Sequence, residues 1–242
     1  MPHGTPDWGL VGPKSTVYGL DDLGEHAARM GSPHLWDRRG DVVHQTDFSV
    51  GLGVWYAFWW GPPAYVCLFT EWARSGAFCV KLVTDGDVTH PVGLRAYLPM
   101  PRIAGMGLEY SFSTRSTHLY WQWLMEWHIG TDEYRGFVRW DLSNNRLEYR
   151  GADHNWHVFA TDVFWEDSNY ILNTGKLVVD TSLWQYARFL LNDQTYPMAG
   201  WAVEHTVVLV GNWFVLRIYL YAPNLIYAEG YVDSVIVTQN EP

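Results

Sequence analysis

Tyr120, Gln122, Glu126 and His128 stand at even spacings within one stretch, Leu119-Tyr120-Trp121-Gln122-Trp123-Leu124-Met125-Glu126-Trp127-His128-Ile129. On a strand, a phenol, an amide, a carboxylate and an imidazole spaced this way project from one face. Such a set hydrogen-bonds sugars, and an aromatic ring beside it offers a stacking surface. Trp59 and Trp60 are further stacking candidates. The competing reading has Trp59, Trp60 and Tyr120 covering a core edge or a subunit contact. Catalytic sets are harder to find. Retaining glycosidases hold two carboxyl groups about 5 Å apart. Here Glu126 is alone on its strand, and the adjacent Glu166 and Asp167 would point to opposite faces. No G-x-S-x-G turn and no phosphate-cradling glycine loop occurs. His154 and His157 lack a third ligand nearby in sequence and read as a solvated loop rather than a metal site. These residues lead us to expect a protein that is not an enzyme.

The element that must position the set is a long strand. Its other face, Leu119, Trp121, Trp123, Met125, Trp127 and Ile129, is wholly apolar, so it lies on a core with its back to water or to a partner. A helix would scatter the tryptophans around its circumference. Met106, Leu108, Tyr110 and Phe112 alternate in the same way with Gly107, Glu109, Ser111 and Ser113. From Asp41 onward the chain reads as short strands parted by turns. Among them are His157–Phe164 and Thr206–Val210, a turn at Asp141–Arg146 with Asn145 left-handed, and a tight turn at Asn192-Asp193. The expected fold is all-β, an antiparallel two-sheet jelly-roll sandwich over 41–242. Residues 1–40 read as an arm, marked by Pro2, Pro6, Pro13 and Pro33. Within it Gly19–Gly31 reads as one short helix with Leu20, Leu23, Ala27 and Met30 on one face. That face needs a partner. We expect it to contact a neighbouring subunit of a homo-oligomer, the alternative being its own sandwich.

Composition narrows the partners. A formal net charge of −10 over 242 residues argues against duplex nucleic acid and anionic membrane surfaces. No stretch of eighteen apolar residues occurs, and Val207–Tyr221 is broken by Gly211-Asn212 and Arg217. The first residues carry neither a basic nor an apolar leader region, so synthesis and folding are expected in a cytoplasm. Cys67 and Cys79 read as buried free thiols, or as partners across a hairpin around Glu71–Ala77. Fifteen tryptophans exceed what one small core absorbs, so some are expected at an interface or binding face unless a broad sandwich takes them up.

Three segments resemble known β-sandwiches. Thr46-Asp47-Phe48-Ser49-Val50-Gly51-Leu52-Gly53-Val54-Trp55 resembles the opening strand of carbohydrate-binding-module-like jelly rolls. Ala73-Arg74-Ser75-Gly76-Ala77-Phe78-Cys79-Val80-Lys81-Leu82 resembles the strand that follows, and Tyr231–Val237 their closing strand. Gly175–Asp180 and Tyr186–Asp193 are similar to paired strands of laminin-G and concanavalin A-like sandwiches. In such jelly rolls an aspartate at the Asp233 position helps hold a structural calcium, but Ser49 stands where the partner acid would be, so no cofactor is expected here. The order of arm, Asp37-Arg38-Arg39-Gly40-Asp41 and jelly roll also resembles structural proteins of tailed phages. The function expected from it is a non-enzymatic virion structural protein of a tailed phage, a capsid decoration or tail-associated part. Its partners would be its own copies and other virion proteins, its location the virion, and its place of synthesis the host cytoplasm. The alternative is a carbohydrate-binding module, calcium-stabilised, with a glycan as partner.

Overall fold

The computed structural model describes residues 40–73, 77–87, 89–101, 104–116, 118–164, 172–208, 211–222 and 227–242. The expected arm helix, with Leu20, Leu23, Ala27 and Met30, lies outside them. The described elements are all strands: β1 Asp41–Thr46, β2 Trp55–Phe58, β3 Tyr65–Phe69, β4 Cys79–Val83, β5 Val92–Leu98, β6 Gly105–Thr114, β7 Tyr120–Ile129 and β8 Asp132–Asp141. There follow β9 Arg146–Arg150, β10 Trp156–Ala160, β11 Asn173–Asp180, β12 Gln185–Leu191, β13 Gln194–Pro197, β14 Glu204–Val207, β15 Trp213–Tyr221 and β16 Glu229–Gln239.

They form two sheets. Sheet I has the order β13-β12-β11-β6-β16-β4-β3, with β1 also on β16. Sheet II has the order β10-β9-β8-β7-β15-β5-β2, with β14 also on β8. Hairpin neighbours such as β13-β12-β11 and β10-β9-β8-β7 alternate in both lists with pairs distant in sequence, such as β6-β16 and β7-β15, as in a jelly roll. The inner faces meet through aromatic side chains. Trp121, Trp123 and Trp127 of β7, Trp140 of β8, and Tyr110 and Phe112 of β6 are fully buried. Tyr110 stacks on Trp123 at a 4.8 Å centroid distance, and Phe189 meets the same indole edge-on at 4.9 Å. The buried Trp123 Nε1 donates to the Gly175 carbonyl at 3.1 Å, so the indole brings no unsatisfied donor into the core. Gly175 is there because a Cβ at that position would lie 2.1 Å from Trp123 Cζ2. The broad core thus takes up Trp55, Trp121, Trp123, Trp127 and Trp140, while Trp59 and Trp60 stay exposed.

Both expected turns form. Asp141 pairs with Arg146 across a turn with Asn145 at φ 49°, and Leu191 pairs with Gln194 across Asn192 at φ 52°. Other readings shift. The strand expected at Thr206–Val210 is β14, beginning at Glu204, and the one expected at His157–Phe164 is β10, ending at Ala160. β1 carries no apolar alternation; the edge offered by β16 makes it a strand. The thiols are free, and Cys67 is exposed rather than buried. Register sets Cys67 opposite Lys81 and Phe69 opposite Cys79, so the two sulfurs do not face each other.

Candidate functional site

Period-two alternation on β7 has a consequence on the far side of sheet II. With the tryptophans turned inward, Tyr120, Gln122, Leu124, Glu126 and His128 turn outward. Antiparallel pairing places Asp141, Arg139, Phe137, Arg135 and Glu133 of β8 directly beside them. On the other flank β15 supplies Tyr221, Tyr219, Arg217, Val215 and Trp213. β9 adds Arg146, Glu148 and Arg150, and β14 adds Glu204 opposite Arg135.

The acids of this face are buried beneath its arginines. Glu126 and Glu204 are 2% and 3% exposed. Arg217 Nη2 lies 2.5 Å from Glu126 Oε2, and Arg135 Nε lies 3.5 Å from Glu126 Oε1. Arg150 Nε lies 3.0 Å from Glu204 Oε2, an ion pair, and His154 Nδ1 is hydrogen-bonded to Glu204 Oε1 at 2.7 Å. Glu148 holds Arg139 at 2.5 Å and Arg146 at 3.1 Å; Arg146 also reaches Asp141 at 3.2 Å. A buried carboxylate is tolerated only when paired in this way. The result is an acidic floor under a guanidinium layer that faces outward. For Arg217, burial works against the charge, but Glu126 and then Tyr219 outweigh it and the pKa is raised.

Tyr120, Gln122, Arg135, Phe137, Arg139, Arg150, Trp156, Glu204 and Tyr221 line a cleft of about 310 Å³ in this face. Its walls are aromatic and its floor is polar. The Arg139 guanidinium carbon lies 4.0 Å from the Trp156 ring centroid and 4.9 Å from that of Tyr120, within cation–π range of both. Phe137 meets Trp156 edge-on at 6.0 Å. Burial first, and then Tyr219, push the Tyr221 phenol up to about 12, so its hydroxyl stays a neutral donor at ordinary pH. Flat rings beside fixed donors and acceptors suit a ligand with apolar faces and a hydroxylated rim.

The structure thus brings Tyr120 and Gln122 into the cleft and puts Glu126 and His128 further along the same face. Trp59 and Trp60 follow β2 at the edge of sheet II, three strands from β7, 45% and 62% exposed. There Trp60 stacks on His90 at 5.5 Å. Asp233 is fully buried on β16, where its Oδ1 accepts from the Ser234 amide at 2.7 Å. Among the described residues, Glu126, His128 and Glu133 form a set whose ligand atoms all lie within 4.8 Å of one another. Arg217 and Arg135 already pair with those two carboxylates, at 2.5 and 2.6 Å, and would repel a divalent cation there. His154 lies in the turn before β10 with its side chain half exposed, as the solvated-loop reading expected, and its Nδ1 lies 2.7 Å from Glu204 Oε1. The arginines and aromatics of β8 were missed although Glu133, Arg135, Phe137, Arg139 and Asp141 carry the same alternation as β7. Trp156 and Glu204 had no such signal, because their strands are too short to show a period.

No protein family matches the sequence, and no curated protein matches it. Solved structures do share the fold. An endo-β-1,4-glucuronan lyase from the fungus Trichoderma reesei gives a TM-score of 0.55 at 14% identity, over 82% of this chain and 96% of that one. A conserved carbohydrate esterase from the Shiga toxin-encoding bacteriophage phi24B gives 0.52 at 13% identity, over 84% and 100%. A sialidase gives 0.52 at 10% identity over 83% of this chain, which spans 19% of that larger one. At these identities the likeness shows the fold, a concanavalin A-like jelly-roll sandwich. The expected likeness to tailed-phage structural proteins is not among these findings. The expectation that the protein is not an enzyme is contradicted by these likenesses, since the same sandwich carries a lyase and an esterase. Glu126 is the one acid on β7, as read from the sequence, and Glu133 of β8 lies diagonal to it, opposite His128.

Proposed function

We propose that this protein is carbohydrate-active and that a glycan lies across the outer face of sheet II, seated in the cleft between Trp156 and Tyr221. The observation that carries the reading is the pairing of aromatic walls with a fixed polar floor, Gln122, Arg135, Arg139 and Glu204, in a cleft of about 310 Å³. That is the lower end of the size range of small-ligand sites. Ion pairing beneath the floor preorganises it, so little conformational entropy is lost on binding. The fold supports the reading, because the sandwich it shares with the lyase and the esterase accommodates polysaccharide chemistry. Calorimetry against a panel of neutral and acidic hexasaccharides tests it. Binding that weakens at least tenfold in Trp156→Ala, with an unchanged melting temperature, is the expected result. A panel with no ligand at millimolar concentration would sink the proposal.

One observation favours turnover as well as binding. Glu126 and Glu133 bring carboxylate oxygens within 4.8 Å of each other and of a His128 ring nitrogen. Two carboxyl groups near 5 Å are the spacing of retaining glycosidases. Incubation of the same panel, read by reducing-end release and by absorbance of unsaturated products, separates cleavage from binding. Loss of product in Glu126→Gln and Glu133→Gln with binding retained supports cleavage; product from both variants counts against this pair.

A further inference from the structure

Arg95 projects from β5 onto the same outer face, and it stands outside the acid network that holds the other arginines there. Its cross-strand neighbours are Arg217 on β15 and Tyr56 on β2. Like charges directly opposite on adjacent strands, with Cβ atoms about 4.5–5.5 Å apart, repel each other. Arg217 is compensated by Glu126. Arg95 is not: among the described residues no carboxylate lies within 4 Å of its guanidinium, and its Nε is buried without a hydrogen-bond partner. What surrounds it is aromatic. Its Cζ lies 5.4 Å from the Phe58 ring and 5.5 Å from the Tyr97 ring. Tyr97 and Tyr56 are 48% and 61% exposed and meet edge to face at 6.3 Å. In a chain of net charge −10, a cation spared from pairing and fixed between exposed rings is an arrangement that an incoming anion completes.

We infer that Arg95 is an anion subsite for the carboxylate of a uronic acid residue, with Tyr56 and Tyr97 as the platform for its ring. The inference deepens the glycan reading above and rests on it. A planar guanidinium matches a planar carboxylate with two parallel hydrogen bonds, a fit that a neutral hydroxyl does not reproduce. Position agrees. β5 is two strands from β7, about 10 Å at the usual strand spacing, and Arg95 stands level with Leu124, one outward position along from Gln122, so a chain seated beside Gln122 and crossing the strands obliquely reaches Arg95.

The test is calorimetry on the full chain with hexamers of galacturonic acid and of mannuronic acid, cellohexaose and dextran sulfate. An acidic hexamer is expected to bind at least tenfold tighter than cellohexaose at low salt, and to lose that advantage as salt rises. Arg95→Gln should abolish the preference and leave cellohexaose affinity within twofold. Arg95→Lys, which keeps the charge but not the fork, should restore only part of it. Equal affinity for acidic and neutral hexamers, or a preference that survives in Arg95→Gln, overturns the subsite while the glycan reading stands. Tighter binding of dextran sulfate than of either uronate overturns it as well. Binding of none of these probes overturns both. Because Arg95 has no acid partner, Arg95→Gln should melt with the parent; if it does not fold, the salt series on the parent chain and Arg95→Lys still decide.

Discussion

At the scale of single residues, the outer face of sheet II is a set of buried charges that depend on one another. Glu126 is 2% exposed and relies on Arg217 at 2.5 Å, with Arg135 further off at 3.5 Å. Replacing Arg217 with Met leaves a buried carboxylate under-compensated. The expected cost is about 3–5 kcal/mol by urea unfolding. Adding Glu126→Leu in the same chain should recover most of that loss, because an apolar pair needs no compensation. Equal stabilities for the single and double variants would show that solvent already reaches Glu126. In the cleft, Tyr120→Ala removes both a wall and the ring that holds Arg139. Glycan affinity is expected to fall about tenfold, or about 1.4 kcal/mol, with little change in stability.

At the scale of elements, β7 joins the core to the site, so an inner-face substitution is felt on the outer face. Gly175 of β11 faces Trp123, where an added methyl would lie 2.1 Å from the indole. Gly175→Ala should therefore destabilise by about 1–3 kcal/mol, since a ring packed against Tyr110 and Phe189 has no free direction to move. Trp123→Ala should cost more, about 3–5 kcal/mol, through the cavity it leaves. Chemical denaturation of both variants checks the order; a milder Trp123→Ala would mean that the two sheets close over the gap.

At the scale of the whole molecule, the tyrosines couple the fold to alkaline pH. Burial raises the phenols of Tyr110, Tyr186 and Tyr231, and it pushes Tyr221 up to about 12. An unfolded phenol ionises near about 10. Below that pH both states hold their protons, and the contribution to stability is fully present. Above it the unfolded state gives up protons that the folded state retains, so stability falls as pH rises, through the Tyr221 value near 12. The expected outcome is a melting temperature that drops between about pH 10 and 12. The part of the tyrosinate absorbance that belongs to these buried phenols should appear with unfolding rather than ahead of it. A tyrosine titration complete near pH 10 in the folded protein would contradict this.

The sequence by itself determined the all-β class, the inward face of β7, the turns at Asn145 and Asn192, and the outward set that begins with Tyr120 and Gln122. Each of these is local. A period of two or a left-handed turn residue is written within ten residues, and the hydrophobic effect reads it directly. Only the tertiary structure decided that Glu126 has Glu133, Arg135 and Arg217 around it, that Glu204 and Trp156 belong to the cleft, and that Arg95 is left without an acid. Those facts depend on which strand lies beside which and in what register, and register is fixed by the packing of the whole core rather than by any one segment. A one-residue slip of β15 would turn Arg217 into the core and Leu216 onto the face. The site is therefore a property of the sandwich, although five of the nine residues lining the cleft lie on β7 and β8, whose alternation is plain in the chain.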